Sequence, residues 1–139
     1  MRLVLDTNVV VSALLWQGTP YRLLQTIRQE QGIRIYSSLA LLDELADVLT
    51  RPFAGRRLAL IGKTVHDVLA DYSNVIELVE PDEVPRVVPT DPDDDQVIAA
   101  ALVAKADYIV SGDSDLLGLA EFQDIPIVTA AEMLRRIEY

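Results

Sequence analysis

The sequence predicts an α/β fold built on a parallel sheet. Short runs of aliphatic and β-branched residues alternate along the chain with segments of helical periodicity, and this alternation is typical of βαβ units. The 139 residues suit one domain, 50% of them are hydrophobic, and no linker, repeat or low-complexity run interrupts them. We therefore expect a single domain over residues 1–139.

The N-terminal half is divided by residues that favour helix starts. Pro20 suits the opening of a helix, and Ser38 suits an N-cap. In chain order we expect a strand over Arg2–Leu5, helices over Val9–Leu15 and Tyr21–Gln31, a strand over Ile33–Tyr36 and a helix over Leu39–Thr50.

Prolines and a glycine divide the C-terminal half. Pro52 and Gly55 break the chain, and one or two helices are expected to follow over residues 57–72. Pro81, Pro85 and Pro89 indicate an irregular connection. The remaining predicted elements are strands over Val75–Leu78, Tyr108–Val110 and Ile125–Val128, and helices over Pro92–Lys105 and Ala130–Ile137.

The composition limits the chemistry. With no cysteine and one histidine, the chain lacks thiolate ligands and cysteine nucleophiles, so a metal would need mainly oxygen ligands. The formal net charge of −10 argues against nucleic-acid binding unless a bound cation inverts the field at the site.

No apolar run approaches the roughly 20 residues that span a bilayer, and Asp6 and Asn8 interrupt the stretch that mimics a signal peptide. We expect no membrane contact and, by default, a cytoplasmic location.

Two aspartates follow predicted strands. Asp6 comes directly after the first strand, and Asp113 follows Tyr108–Val110 through a short Ser-Gly turn. Parallel α/β sheets bind ligands beyond the carboxyl ends of their strands, which favours both aspartates as site residues. A helix cap or an Asx-turn would also explain them. The local pattern does not separate Asp113 from Asp115.

A run of acids opens the predicted helix after residue 91. Asp91 and Pro92 form an N-cap followed by proline at the first helical position, and Asp93 and Asp94 suit the positive end of the helix dipole. Asp95 falls one position later and aligns with apolar residues three, four and seven positions further on. We therefore predict that Asp95 is the acid of the run that points inward.

Glu44 is the remaining acidic candidate. It borders the apolar stripe of the Leu39–Thr50 helix, and periodicity leaves open whether it lies at a site or on the surface. Converging carboxylates repel one another, and Mg²⁺ or Mn²⁺ relieves that repulsion. Such an ion also activates water and stabilises the leaving oxygen of a phosphodiester. We hypothesise a shared divalent ion held by Asp6, Glu44, Asp95 and Asp113.

Four stretches resemble the PIN-domain nucleases, especially toxins of bacterial and archaeal toxin–antitoxin pairs. They are LVLDTNVVVSALL, SLALLDELADVLTRP, DPDDDQVIAAALVAKADYIVSGDSDLL and IPIVTAAEMLRRI. The resemblance implies a three-layer fold with a central parallel sheet of about five strands flanked by helices. It also implies Mg²⁺- or Mn²⁺-dependent hydrolysis of single-stranded RNA, a homodimer and a small antitoxin as partner.

The resemblance also gives roles to individual positions. It implies that the catalytic, metal-binding acids are Asp6, Glu44, Asp95 and Asp113, and it separates Asp113 from Asp115. Asp115 becomes an auxiliary acid. Asn8 and Ser111 fall where the family often has polar residues that position water or the acids.

A basic cluster follows the helix that bears Glu44. It consists of Arg51, Arg56, Arg57 and Lys63. These side chains could hold RNA phosphates. They could equally contact an acidic partner or offset the protein's own negative charge.

Two alternatives to a nuclease stay open at this point. Asp6 could be the nucleophile of a phosphatase that resembles the haloacid dehalogenases, but the second acid of that pattern is replaced by Asn8. The chain could also be a PIN-like module that binds an antitoxin or RNA without cutting. The presence of all four acids argues against such a degenerate site.

Overall fold

The computed structural model describes residues 1–88 and 91–138, so the expected irregularity at Pro89 lies outside the described residues. The elements are β1 (Arg2–Leu5), α1 (Thr7–Leu15), α2 (Thr19–Gln29), β2 (Arg34–Ser37), α3 (Leu39–Leu49), α4 (Pro52–Ile61), α5 (Val65–Ser73), β3 (Ile76–Leu78), α6 (Pro92–Ala104), β4 (Tyr108–Val110), α7 (Ser114–Leu119), β5 (Glu121–Phe122), β6 (Ile125–Val128) and α8 (Ala130–Glu138).

The sheet has six strands in the order β3-β2-β1-β4-β6-β5. Every neighbouring pair is parallel except β5 and β6, which are antiparallel. The chain builds outward from β1 to β2 and β3 on one side and then crosses to β4 on the other. A topological switch point therefore lies between β1 and β4, where ligands of such sheets bind.

Apolar side chains alternate between the two faces of the sheet and define a core on each. Leu3 and Leu5 point into the core beneath α1, α2 and α8, whereas Val4 points into the core beneath α6 and α7. This alternation has the period of two that strands impose. The result is the predicted arrangement of a sheet between two layers of helices.

The structure confirms the five predicted strands and adds two short elements. The strand β5 has two residues and α7 has six, so neither carries enough periodicity to be predicted from sequence. The predicted break at Gly55 is wrong, because the first of two helices in this region begins at Pro52 and includes Gly55. The first, α4, ends at Gly62 with φ of 70°, and Thr64 and Asp67 form a capping box that starts α5.

Two predicted helix starts have the expected caps. The Ser38 hydroxyl accepts a hydrogen bond from the Leu41 amide, and the Asp91 carboxylate accepts one from the Asp93 amide. Within the described residues, the helices are all too short or too polar to cross a bilayer.

Candidate metal centre

Three carboxylates meet at the switch point between β1 and β4. One oxygen each of Asp6, Asp94 and Asp113 lies within 4.8 Å of the other two. Asp6 follows β1, Asp113 follows β4, and Asp94 lies in the first turn of α6. The topology therefore joins residues that are distant in the chain, as the crevice rule predicts.

Asp6 has two structural roles as well as its place in the cluster. Its side chain caps α1 by accepting a 2.7 Å hydrogen bond from the Thr7 amide. Its other oxygen accepts a 2.8 Å hydrogen bond from the buried Ser111 hydroxyl. Burial raises the pKa of Asp6, and these two hydrogen bonds partly oppose that rise by stabilising the carboxylate.

Ser111 joins two acids of the cluster. Besides donating to Asp6, its hydroxyl accepts a 2.9 Å hydrogen bond from the Asp113 amide. The serine is fully buried, so its side chain has little freedom. It therefore fixes the Asp113 backbone relative to the Asp6 carboxylate, which agrees with the positioning role expected for this residue.

Asp94 is the least compensated acid of the cluster. The residue is only 3% exposed, and its Oδ2 atom is buried without a hydrogen-bond partner among the described residues. Burial, followed by the nearby carboxylates of Asp113 and Asp91, raises the pKa of Asp94 to about 9. A buried carboxylate in this state needs a proton or a cation.

Asp95 does not join the cluster, which corrects the assignment made from the sequence. Its Oδ1 atom accepts 2.8 Å hydrogen bonds from the amides of Val87 and Val88, so Asp95 holds the connection between β3 and α6. Both acids are buried because α6 is covered on nearly all sides. Helical periodicity therefore could not identify Asp94, which shares a face with the fully buried residues Val97, Ile98 and Ala101.

The hydrogen bonds of Asp95 predict a structural role. Asp95→Ala is expected to lower the free energy of unfolding by about 2–4 kcal/mol, because two charge-assisted bonds are lost and the Val88 amide stays buried. Urea denaturation measures this loss. The exposed Asp93→Ala in the same helical turn is the matched control, with a change below about 1 kcal/mol. Equal losses in both variants would contradict the assigned role.

Glu44 lies at the edge of the cluster and is coupled to it through Thr7. The Thr7 hydroxyl donates a 2.9 Å hydrogen bond to Glu44 Oε2, while the Thr7 amide donates to Asp6. Burial, together with Asp93 and Asp6, raises the pKa of Glu44 to about 7. Glu44 therefore lies outside the group of three carboxylates that are within 4.8 Å of one another, and Thr7 connects it to that group.

The residues predicted to assist the acids lie around the rim of the acidic cluster. Asn8 is exposed on the first turn of α1, two residues after Asp6. Asp115 is exposed on the first turn of α7, where its amide donates a 3.2 Å hydrogen bond to the Asp113 side chain. Asp91 caps α6, and its charge acts on Asp6, Glu44 and Asp94.

Two members of the basic cluster, Arg57 and Lys63, lie beside Leu15 and Trp16 at the far end of α1 from Asp6. Arg57 donates a 2.7 Å hydrogen bond to the Leu15 carbonyl and lies over the Trp16 ring, and Arg51 lies 3.4 Å from Asp47. A helix of nine residues separates Asp6 from Leu15 by about 13 Å. Arg56 and Lys63 are exposed in this region. Contact of these four residues with RNA stays a prediction.

The carboxylates fit a hard divalent cation. Mg²⁺ and Mn²⁺ prefer carboxylate oxygen, and Mg²⁺ is held in proteins by a few carboxylates while it keeps some of its waters. Three converging oxygens supply such a set, and the unpartnered Asp94 oxygen gives an independent reason for a cation. Asp6, Asp94 and Asp113 would be the ligands of the cation, and Glu44 would lie at the edge of the site.

The comparisons with known proteins agree with this fold. A sequence profile of the PIN domain matches residues 2–115. An uncharacterized protein of Methanocaldococcus jannaschii is 30% identical over 122 residues, which cover 87% of this chain and 76% of that protein. The solved VapBC2 structure from Rickettsia felis, bound to a DNA fragment from the promoter, aligns with a TM-score of 0.63 and 14% identity over 91% of this chain and 97% of the matched chain. At that identity the likeness concerns the fold alone. The chain belongs to the PIN-domain family.

Proposed function

We propose that this protein is a ribonuclease that hydrolyses phosphodiester bonds of single-stranded RNA with Mg²⁺ or Mn²⁺. The observation that carries the proposal is the convergence of Asp6, Asp94 and Asp113 at the switch point, with one buried oxygen lacking a partner. PIN domains are generally nucleases, which agrees with the chemistry of this donor set.

The acidic residues divide two tasks between them in the proposed reaction. A bound divalent cation lowers the pKa of water and offsets phosphate charge. Asp6, Asp94 and Asp113 would hold the cation, and Ser111 and Thr7 hold the Asp6 carboxylate in place. Glu44, with its pKa raised to about 7, is suited to accept a proton from attacking water at the edge of the site.

The proposal includes a biological context. The VapBC2 structure is a complex, and we infer by analogy that this chain is the toxin of a toxin–antitoxin pair, acting as a homodimer on cytoplasmic RNA. Co-purification with the product of an adjacent short reading frame would support the partner. Light scattering of the purified chain tests the dimer.

Purified protein is expected to cleave single-stranded RNA with Mg²⁺ or Mn²⁺ and to lose activity with a chelator. Asp6→Asn, purified identically, should be inactive, because the cation loses a charged ligand. Product analysis on a labelled oligonucleotide measures cleavage. Activity that resists both the chelator and the substitution would refute the metal mechanism. RNA binding without cleavage by the native protein would favour a binding module instead.

Ser111→Ala is expected to weaken Mn²⁺ binding by about 10–100-fold, since residues that hydrogen-bond to metal ligands typically have effects of this size. The substitution removes the donor to Asp6 and the acceptor for the Asp113 amide. Calorimetric titration with Mn²⁺ measures the change. Ser73→Ala, at the exposed end of α5, is the control. Unchanged affinity in Ser111→Ala would show that the bridge does not orient the acids.

A further inference from the structure

A neutral cavity opens beside the acids, between α1, α2 and α8. Its volume is about 300 Å³. The walls come from the first turns of these helices and from the segment after β4, and include Asn8, Ser12, Thr19, Pro20 and Ala131. None of the roles described above for the acids accounts for this cavity.

The cavity is joined to the acidic cluster through one shared residue. Ser111 lines it and also donates its hydroxyl proton to Asp6, and Asn8 follows Asp6 by two residues. A strand whose phosphate lies at the acids would therefore place a neighbouring nucleoside at the cavity mouth. This proximity favours a part of the substrate as the occupant.

The lining selects an uncharged, partly polar group. Among the described residues that form the walls, none is charged, so side-chain charge does not favour a phosphate there. Val9, Pro20 and Ala130 supply apolar surface, whereas Asn8, Ser12 and Thr19 supply an amide and two hydroxyls. A nucleobase combines an apolar face with a polar edge and matches this lining.

The volume of the cavity suits a single unpaired base. A volume of about 300 Å³ lies at the small end of ligand pockets and suits one base or nucleoside. A base in a helix is stacked on both sides and cannot enter, whereas the bases of single strands can be splayed into a pocket.

We propose that this cavity binds one unpaired nucleobase next to the scissile phosphate and so sets a base preference at that position. The proposal rests on the nuclease function proposed above. It assigns the selection of single strands to α1, α2 and α8 instead of to the basic cluster.

The test fills the cavity. Ala131→Leu adds bulk at the first turn of α8, and Ala70→Leu on the exposed face of α5 is the matched control. Each protein is assayed with Mg²⁺ on oligoribonucleotides that carry each of the four bases, or an abasic ribose, beside the mapped cleavage site. We expect the native protein to prefer one base and to lose about 10-fold in kcat/KM on the abasic strand.

Comparison of each variant on base-containing and abasic strands separates loss of the pocket from a general loss of activity. Ala131→Leu should cleave all base-containing strands at the native abasic rate and leave the abasic rate unchanged, while Ala70→Leu behaves as native. If Ala131→Leu does not fold, Thr19→Val replaces it, and we expect an altered base preference with the abasic rate unchanged.

A second readout needs no catalysis. Each unphosphorylated nucleoside is titrated into the native protein, and we expect amide NMR shifts at Thr19, Ala130 and Ala131. RNA cleavage without base preference and without nucleoside shifts would overturn the pocket and leave the nuclease. Nucleoside shifts without RNA cleavage would overturn the nuclease and keep a nucleoside site. Absence of both would overturn the two proposals together.

Discussion

Asp94→Asn is expected to abolish most activity while making the metal-free protein more stable. Asp94 is buried, its Oδ2 atom lacks a partner among the described residues, and the carboxylates of Asp91, Asp113 and Asp6 repel its charged form. The metal-free fold must keep this acid protonated, whereas the unfolded chain ionises it, so an Asn that needs no proton should stabilise the metal-free fold by about 1–3 kcal/mol. Loss of a cation ligand should lower metal-dependent cleavage by at least about 100-fold.

Asp95→Asn is the matched control for this variant. It makes the same chemical change one residue later, and its Oδ1 atom still accepts from the amides of Val87 and Val88. We expect cleavage within about 10-fold of native and stability no higher than native. Denaturation and cleavage assays on both variants measure the contrast. Full activity in Asp94→Asn together with loss in Asp95→Asn would restore the assignment made from the sequence.

Stability without metal is expected to fall as the pH rises from about 5 to 9. Asp6, Glu44 and Asp94 all have pKa values raised by burial and neighbouring acids, with Glu44 at about 7 and Asp94 at about 9. The folded state therefore holds more protons than the unfolded state above pH 4, and the free energy of unfolding decreases until these folded-state values are passed. After discounting for solvent screening, we expect a loss of on the order of 3 kcal/mol.

Mg²⁺ should reverse this trend. The cation competes with protons for the same oxygens, so its stabilising effect should grow with pH. Thermal denaturation at pH 5, 7 and 9, with chelator and with Mg²⁺, measures both curves. Asp94→Asn should flatten the chelator curve. A metal-free protein whose stability rises between pH 5 and 9 would refute the proposed protonation of the cluster.

The sequence predicts the positions of two acids, because the order of the strands brings the residues that follow β1 and β4 together. Asp6 and Asp113 each follow a short apolar run, and the carboxyl ends of β1 and β4 are adjacent in the sheet. Ser111 was expected near them because the resemblance to PIN-domain nucleases implies a polar residue at that position, and the same resemblance separates Asp113 from Asp115. These positions depend on local pattern and on one topological rule.

The acid from α6 could not be identified in the same way. Amphipathic periodicity assumes one buried stripe, whereas α6 buries Asp94, Asp95 and the five residues Val97–Ala101. The choice between the two aspartates depends on the chain before α6, whose Val87 and Val88 amides engage Asp95. These two N–H groups need an acceptor only once the chain has folded, so no pattern in the sequence indicates which aspartate will supply it.

The basic cluster shows the same limit. Its charges adjoin Glu44 in sequence, but Arg57 lies at the far end of α1, where the Leu15 carbonyl accepts its hydrogen bond. The neutral cavity was not predicted at all, because its walls come from four separate segments that meet only in the folded chain.

A crystal structure of the protein soaked with Mn²⁺ tests the central claim most directly. Anomalous scattering locates the ion without assumptions about activity. We predict one Mn²⁺ about 2.1 Å from oxygens of Asp6, Asp94 and Asp113, with Asp95 still bound to Val87 and Val88. An ion ligated by Asp95, or no ion among these acids at millimolar Mn²⁺, would contradict the account.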